Sequence, residues 1–380
     1  MIARQDPVSA SSYATRHDHT LLVLQGGGAL GAYQAGVYEA LSEQGFAPDW
    51  VTGVSIGAIN AALIAGNPPP LRTARLREFW DRVSSGMPLV APAAFDPYRR
   101  AMNLIAAGAA ATFGVPGFFY PRVPPAVFAP EGSLAALSIY DTTPLRETLA
   151  DLVDFDIINA RQMRFAVGAV QVETGNSVYF DNYVPDTEIA AEHVMASGAL
   201  PPGFAPVEIK GAYYWDGGLV SNSPLWYVLD DSPRLEAMIL QVDLFSASGE
   251  MPENLDEVLE RAKDIQYSSK TRFNTTRVKE LETLAAALRR VLATLPAELK
   301  DNADVRLLSE ATKGRKVSVV QLINRRFAHS SQSKDYEFSR ATVRSLWEAG
   351  RDAVQRTMAS PEWPQACATR QGLSTYDLAR

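Results

Sequence analysis

Along the N-terminal part of the chain, apolar runs that end on glycine alternate with segments whose apolar residues recur every three or four positions. Leu21 to Leu24 is a short, wholly apolar run that leads into Gly26-Gly27-Gly28, and it predicts a strand buried on both faces. Beyond it Leu30, Tyr33, Val37, Ala40 and Leu41 share one side of a helix that Gly45 stops. "DWVTGVS" predicts a second short strand, and "IGAINAALIAG" a small-residue helix closed by Gly66, Asn67 and three prolines. This βαβα order points to a parallel sheet with helices on its faces.

Residues 71–83 predict a further helix. From about 84 to 139 the pattern changes. Proline, alanine and aromatic residues dominate, as in "MPLVAPAAFDPYRR" and "GVPGFFYPRVPPAVF", with little regular periodicity. Such a segment reads either as a lid or binding loop, or as plain packing over the sheet. Order returns at "TTPLRETLADLVDFDIINA", a helix capped by Thr142 or Thr143 with Pro144 at its first position. "RFAVGAVQVETGNSVYFDNY" predicts two strands joined by a Gly-Asn turn. "EIAAEHVMASG" predicts a helix ending near Gly198, and a proline-rich turn leads to "AYYWDGGLVSNSPL" and the apolar strand "LEAMILQVDLF". A long charged helical region covers about 252–298, followed by a strand, "KVSVVQLIN", and a helix over about 335–358. Neither a repeat nor a linker divides the sequence. The expectation is a mobile tail over residues 1–19, then one α/β domain with a lid-like insertion and a helical excursion.

Composition narrows the class. With 47% hydrophobic and 21% charged residues, the chain has enough apolar material for a large core. The net charge of −7 argues against nucleic acid as the main partner, because phosphate binding needs a basic face. The single cysteine, Cys367, excludes an intramolecular disulfide and a cysteine metal cluster and suits a reducing compartment. The first residues carry no apolar signal region. The longest apolar stretch, residues 103–119, is broken by Pro116 and rich in Ala and Gly, a poor membrane span. A cytoplasmic protein is expected.

Candidate chemistry sits on the two glycine turns. Gly53-Val54-Ser55-Ile56-Gly57 fits G-x-S-x-G between a strand and a helix, where a sharp turn exposes a serine hydroxyl and small neighbours let strand and helix approach. Gly26 to Gly31, "GGGALG", also matches a dinucleotide-binding pattern. That reading needs an acidic residue at the end of the second strand; the serine turn stands there, and Asp49 precedes it. Bare N–H groups at a helix start instead suit an oxyanion hole. One turn then holds a nucleophile and the other the charge it creates. For the base there are two candidates: His329, late in the chain as in α/β-hydrolases, and Asp216 in "YYWDGGLVSNSP". Asp-Gly after aromatic residues is equally a hairpin signal.

Taken together and in this order, GGGALG, GVSIG and DGG resemble the patatin-like phospholipase family. "ASGALPPGFAPVEI" before the DGG and "SNSPL" after it, in the place of an Asn-x-Pro pattern, are similar to that family as well. The resemblance covers about residues 20–246 plus the last strand and helix. It implies an α/β, three-layer fold with a mainly parallel central sheet, helices on both faces and a lid-like insertion at about 84–139. Residues 20–246 would form the catalytic core, which residues 247–380 complete. The resemblance further implies a Ser-Asp dyad of Ser55 and Asp216, with an oxyanion hole at Gly26, Gly27, Gly28, Ala29 and Gly31. Gly53 and Gly57 would form the nucleophile elbow, and Gly217 and Gly218 the base loop. No metal or organic cofactor is implied. Many members carry a basic residue after the third glycine, where this chain has Ala29-Leu30, so the head group stays open. A carboxylate near its ordinary pKa of about 4 is a weak base for an alcohol. Burial must raise it, and Tyr213, Tyr214 and Trp215 offer an apolar wall.

The implied substrate is a lipid or other acyl ester, with transient membrane-surface contact. Two alternatives stand beside it: an esterase acting on non-lipid esters such as hydroxyalkanoate oligomers, and a catalytically silent lipid-binding module. Leu104, Phe113, Phe118, Phe119, Tyr120 and Phe128 suit the lining of an acyl channel, though packing uses the same residues. Leu281, Leu284, Leu288, Val291, Leu292 and Leu295 fall on one helical face that suits a membrane surface, burial or a dimer interface.

Overall fold

The computed structural model describes residues 18–86, 96–231, 236–269, 271–312, 316–325, 332–368 and 371–379. Strand β1 (His19–Leu24) lies at the centre, followed by helix α1 (Ala32–Glu43), β2 (Trp50–Val54) and α2 (Ile56–Ala65), as the periodicities predict. Helix α3 spans Arg72–Val83 and α4 spans Asp96–Phe113, before a short antiparallel pair, β3 (Tyr120–Pro121) and β4 (Tyr140–Asp141). Helices α5 (Thr143–Leu152) and α6 (Phe155–Asn159) lead to β5 (Arg164–Gln171) and β6 (Ser177–Asp181). Next come α7 (Ala191–Ser197), β7 (Val207–Ile209), β8 (Ala212–Asp216), α8 (Leu225–Asp231) and β9 (Glu236–Asp243). The C-terminal part holds α9 (Leu255–Tyr267), α10 (Thr271–Ala293), α11 (Ala303–Ala311), β10 (Lys316–Ile323), α12 (Arg340–Ala359), α13 (Trp363–Ala366) and β11 (Gly372–Tyr376).

The strands form one nine-stranded sheet in the order β11-β10-β9-β1-β2-β5-β8-β7, with β6 on β5. From β11 to β5 every pairing is parallel, and the pairings of β6 with β5, β8 with β5 and β7 with β8 are antiparallel. The run Leu21 to Leu24 divides its side chains between the two faces, as a strand must. Leu22 and Leu24 enter one buried cluster with α1, α2 and α12; Leu21 and Val23 enter the other with Leu225, Val228 and Leu229 of α8. Both faces are therefore covered, which is the condition for a parallel sheet.

Two sequence expectations are corrected in detail. The stretch 84–139 is not wholly irregular, since α4 occupies Asp96–Phe113. Pro97 sits in that helix's first turn, where a missing N–H removes no hydrogen bond. Neither Thr142 nor Thr143 caps α5 through its hydroxyl; the Asp141 carboxylate accepts from Thr143 N–H at 2.8 Å instead. The charged 252–298 region is helical as expected, as α9 and α10, and on α10 Leu281, Leu284 and Val291 are 46%, 66% and 58% exposed.

The α1–α12 contact anchors the C-terminal segment to the core. Buried Glu39 of α1 accepts from Trp347 Nε1 at 2.7 Å and from Arg351 at 2.6 Å on α12, and from Arg77 Nε of α3 at 3.0 Å. Glu39→Ala orphans a buried indole N–H and separates two guanidinium groups from their anion. The expected cost is about 2 kcal/mol, read as a lowered urea midpoint at unchanged slope.

Candidate active site

Sheet register brings the sequence motifs together. Strand β2 pairs with β5 up to Val54↔Gly168, and β8 pairs with β5 from Ala169↔Asp216 onward. Because β6 occupies the opposite edge of β5 over Ala166–Val170, β2 and β8 must share the remaining edge. Where β2 stops, β8 takes the next rung, and Asp216 arrives beside Ser55.

Ser55 follows β2 directly with φ 56° and ψ −125°, a conformation that non-glycine residues rarely hold. Its N–H donates to Ser197 Oγ at 3.1 Å, and Ser197 Oγ donates to Gly168 O at 2.6 Å, tying the turn to α7 and β5. The Ser55 hydroxyl is close enough to the Asp216 carboxylate to favour its anion, and that carboxylate accepts from Gly218 N–H at 2.7 Å. Asp216 is 2% exposed. Burial pushes its pKa from the ordinary carboxylate value up to about 6, against the nearby Ser55 hydroxyl and the Gly218 N–H, which favour the anion. Asp216 ends a strand and opens a short 3-10 turn, Gly217–Leu219. Gly217 touches Gly168 so closely that an added Cβ would lie 2.5 Å from the Gly168 oxygen.

The first glycine loop forms the opposite wall. Gly26 N–H is committed to Asn222 O at 3.1 Å, and Leu30 N–H to Gly27 O at 3.1 Å. Gly27 and Gly28 line the cavity above Ser55, and among the described residues no acceptor occupies their N–H groups. Gly28 has φ +54°, and a Cβ there would meet Asp335 O at 2.2 Å, so only glycine fits. Ala29 is fully buried behind this wall, and Gly31 packs against Ile56 and Trp80 rather than facing the cavity.

A buried amide network, which the sequence reading missed, holds the loop. Gln25 Oε1 accepts from Leu244 and Phe245 N–H at 2.6 and 2.9 Å, and its Nε2 donates to Tyr267 O at 3.0 Å. Gln34 Nε2 donates to Gln25 O at 2.7 Å, Asn60 Nδ2 to Gly31 O at 3.0 Å, and Trp80 Nε1 to Asn60 Oδ1 at 3.1 Å. Asn222, the asparagine of "SNSPL", donates to both Gly26 O (3.1 Å) and Tyr267 O (2.8 Å). A glutamine directly before three glycines was the one available signal for this network.

Ser55 and Asp216 line an open-mouthed cavity walled by Phe118, Phe119, Phe204, Phe245 and Phe338. Of the aromatic and aliphatic residues expected to line a channel, Phe118 and Phe119 reach this cavity, whereas Leu104, Tyr120 and Phe128 are solvent-exposed. Two histidines are placed away from it. His193 Nδ1 accepts from Ala190 N–H at 3.0 Å, and His19 pairs with Asp49 at 3.2 Å. His329 lies outside the described residues. Among the described residues no cluster of three potential metal ligands occurs, and no helix is long and apolar enough to cross a membrane.

The family description "Patatin-like phospholipase" matches residues 22–229, more than half of the chain, and a second, "Patatin phospholipase", matches residues 265–370. The chain belongs to the patatin-like phospholipase family. Membership implies an ester hydrolase acting on lipids, and the cavity described above falls inside the first matched region. Among solved structures, the patatin-like chain is similar to VipD from Legionella pneumophila at 14% identity and a TM-score of 0.32, covering 87% of this chain and 67% of that one. It is also similar to ExoU of Pseudomonas aeruginosa, solved in complex with SpcU, at 20% identity and a TM-score of 0.28. That alignment covers 76% of this chain and 60% of ExoU. No curated protein matches the chain.

Proposed function

We propose that the chain hydrolyses carboxylic esters of lipids, phospholipids first among them, through a Ser55–Asp216 dyad and an acyl-enzyme. The observation that carries this reading is the Ser55 hydroxyl set against the buried Asp216 carboxylate, both lining one cavity with an aromatic wall. Asp216 takes the proton as Ser55 Oγ attacks the ester carbonyl carbon. The carbonyl oxygen, now negative, lies against the N–H groups of Gly27 and Gly28; each such donor is worth roughly 3 kcal/mol in serine hydrolases. Collapse breaks the bond to the alcohol, which leaves with the proton from Asp216. Water then attacks the acyl carbon while Asp216 accepts its proton; the bond to Ser55 Oγ breaks, Oγ takes that proton from Asp216, and the free acid departs.

On this reading residues 20–246 are the catalytic core, the 84–139 insertion covers the acyl site, and residues 247–380 complete the sheet. Val123, Val127 and Phe128 on the insertion are 92%, 84% and 76% exposed, which favours transient contact with a lipid surface. The single cysteine fits a cytoplasmic protein.

The test is turnover of a soluble p-nitrophenyl ester and of phospholipid vesicles across pH, with Ser55→Ala as the blank. Only ionised Asp216 accepts the serine proton, and burial holds its pKa up at about 6. On the acid side kcat/KM therefore rises tenfold per pH unit and levels off above about 6. A plateau already reached near pH 4 would mean that the base is not the buried carboxylate.

A further inference from the structure

Next to the cavity at Ser55, and sharing Phe338 with it, lies a second, open-mouthed space lined by apolar side chains. Val83, Ala106, Ala109, Ala110, Val115 and Phe338 contribute to its lining, and no lining side chain carries a donor or acceptor. One residue belongs to both cavities. Phe338, 4% exposed, lines the second space and the wall of the first, with its ring 5.9 Å from that of Phe118.

Ala106 and Ala110 stand one turn apart on α4 and are buried, with Ala109 between them on the same wall. A helix face that only filled the core would carry larger aliphatic side chains, because protein interiors are close-packed. Here three methyl groups leave room. The side chains of this space offer no partner to a polar or charged group. They suit hydrocarbon, and through Phe338 the space borders the cavity that holds Ser55.

We propose that this second cavity is the distal half of the acyl site and that Phe338 sets how far an acyl chain reaches. The proposal rests on the hydrolase reading above. The ester carbonyl lies at Ser55, the first methylenes lie along Phe118 and Phe119, and the remainder passes Phe338 to the alanine face of α4. Long, straight acyl chains are the preferred class, and short acyl esters fill the first cavity only.

Comparing p-nitrophenyl butyrate, octanoate and palmitate tests this. The parent prefers palmitate to butyrate in kcat/KM. Ala110→Leu and Ala109→Phe fill the distal space and lower the palmitate-to-butyrate ratio by roughly fourfold for each methylene excluded. Phe338→Ala joins the two spaces and raises that ratio. Ala109 is only partly buried, so its variant keeps the test open if Ala110→Leu fails to fold. Active variants whose ratio equals the parent's would overturn the acyl-site proposal while leaving the hydrolase reading intact. A folded parent silent on every ester, butyrate included, would overturn the hydrolase reading, and the acyl site with it.

Discussion

Ser55→Ala and Asp216→Asn each lower kcat on a soluble ester by roughly 10⁴-fold or more, the scale seen when a serine nucleophile or the carboxylate that serves it is removed. The two losses are strongly non-additive, because either change breaks the same proton transfer. Asp216→Asn is the more informative variant. Asparagine has nearly the same shape and keeps an acceptor for Gly218 N–H, but it cannot take the serine proton. Its effect on stability runs the other way. In the folded chain burial raises the Asp216 pKa from 3.8 to about 6, so the folded state holds this proton more tightly than the unfolded state. Below pH 4 both states are protonated and burial adds no ionisation cost. As pH rises through 6 the cost of keeping a buried anion develops fully, about 3 kcal/mol for a shift of this size. Asp216→Asn should therefore raise the melting temperature at pH 8 and lose that advantage towards pH 4. A variant both inactive and more stable at high pH identifies a residue kept for chemistry. Retained turnover in Asp216→Asn would exclude Asp216 as the base. If His329→Ala were equally dead and still folded, the base would be a histidine.

What was legible in the sequence was legible for physical reasons. Both glycine turns stand out because a backbone that approaches another backbone cannot carry side chains, and that demand is written locally. The apolar run of β1 and the small-residue helix α2 are likewise local signals. Helix α4 was hidden because its buried face is made by alanine, which gives little contrast between faces, and because the prolines around it read as breakers. β11 was missed since its half-exposed edge position leaves "GLSTY" without a clear apolar alternation. The contact of Asp335 with Gly28, and the network through Gln25 and Asn222, join positions far apart in the chain. No local pattern encodes such a pairing. The DGG stretch illustrates the limit best. Its composition fits a hairpin, and only the register of β5 between β2 and β8 sets Asp216 against Ser55.

The largest expected loss of stability comes from adding a single methyl group at the elbow. A Cβ at Gly57 would lie 2.4 Å from Leu24 O and 2.8 Å from Gln25 O, and one at Gly53 would lie 2.2 Å from the Gly57 backbone. These are main-chain atoms of β1 and α2, so no side chain can turn aside. Gly57→Ala must push α2, whose start carries Ser55, away from the end of β1, which leads into the glycine loop. The expected cost is about 3 kcal/mol or more by urea denaturation, and protein that remains folded should lose roughly 10²-fold in kcat, because a displacement near 1 Å suffices for that. Gly108→Ala supplies the contrast. Gly108 is exposed inside α4 with nothing within 4 Å of an added Cβ, so the same substitution should stabilise by about 0.5–1 kcal/mol. Opposite signs for one chemical change separate the two demands on glycine: helix propensity favours alanine at Gly108, whereas close approach of two backbones forbids it at Gly57. Equal, small effects at both positions would mean that α2 and β1 do not meet as closely as the elbow requires, and the alignment of Ser55 with Asp216 would then need another cause.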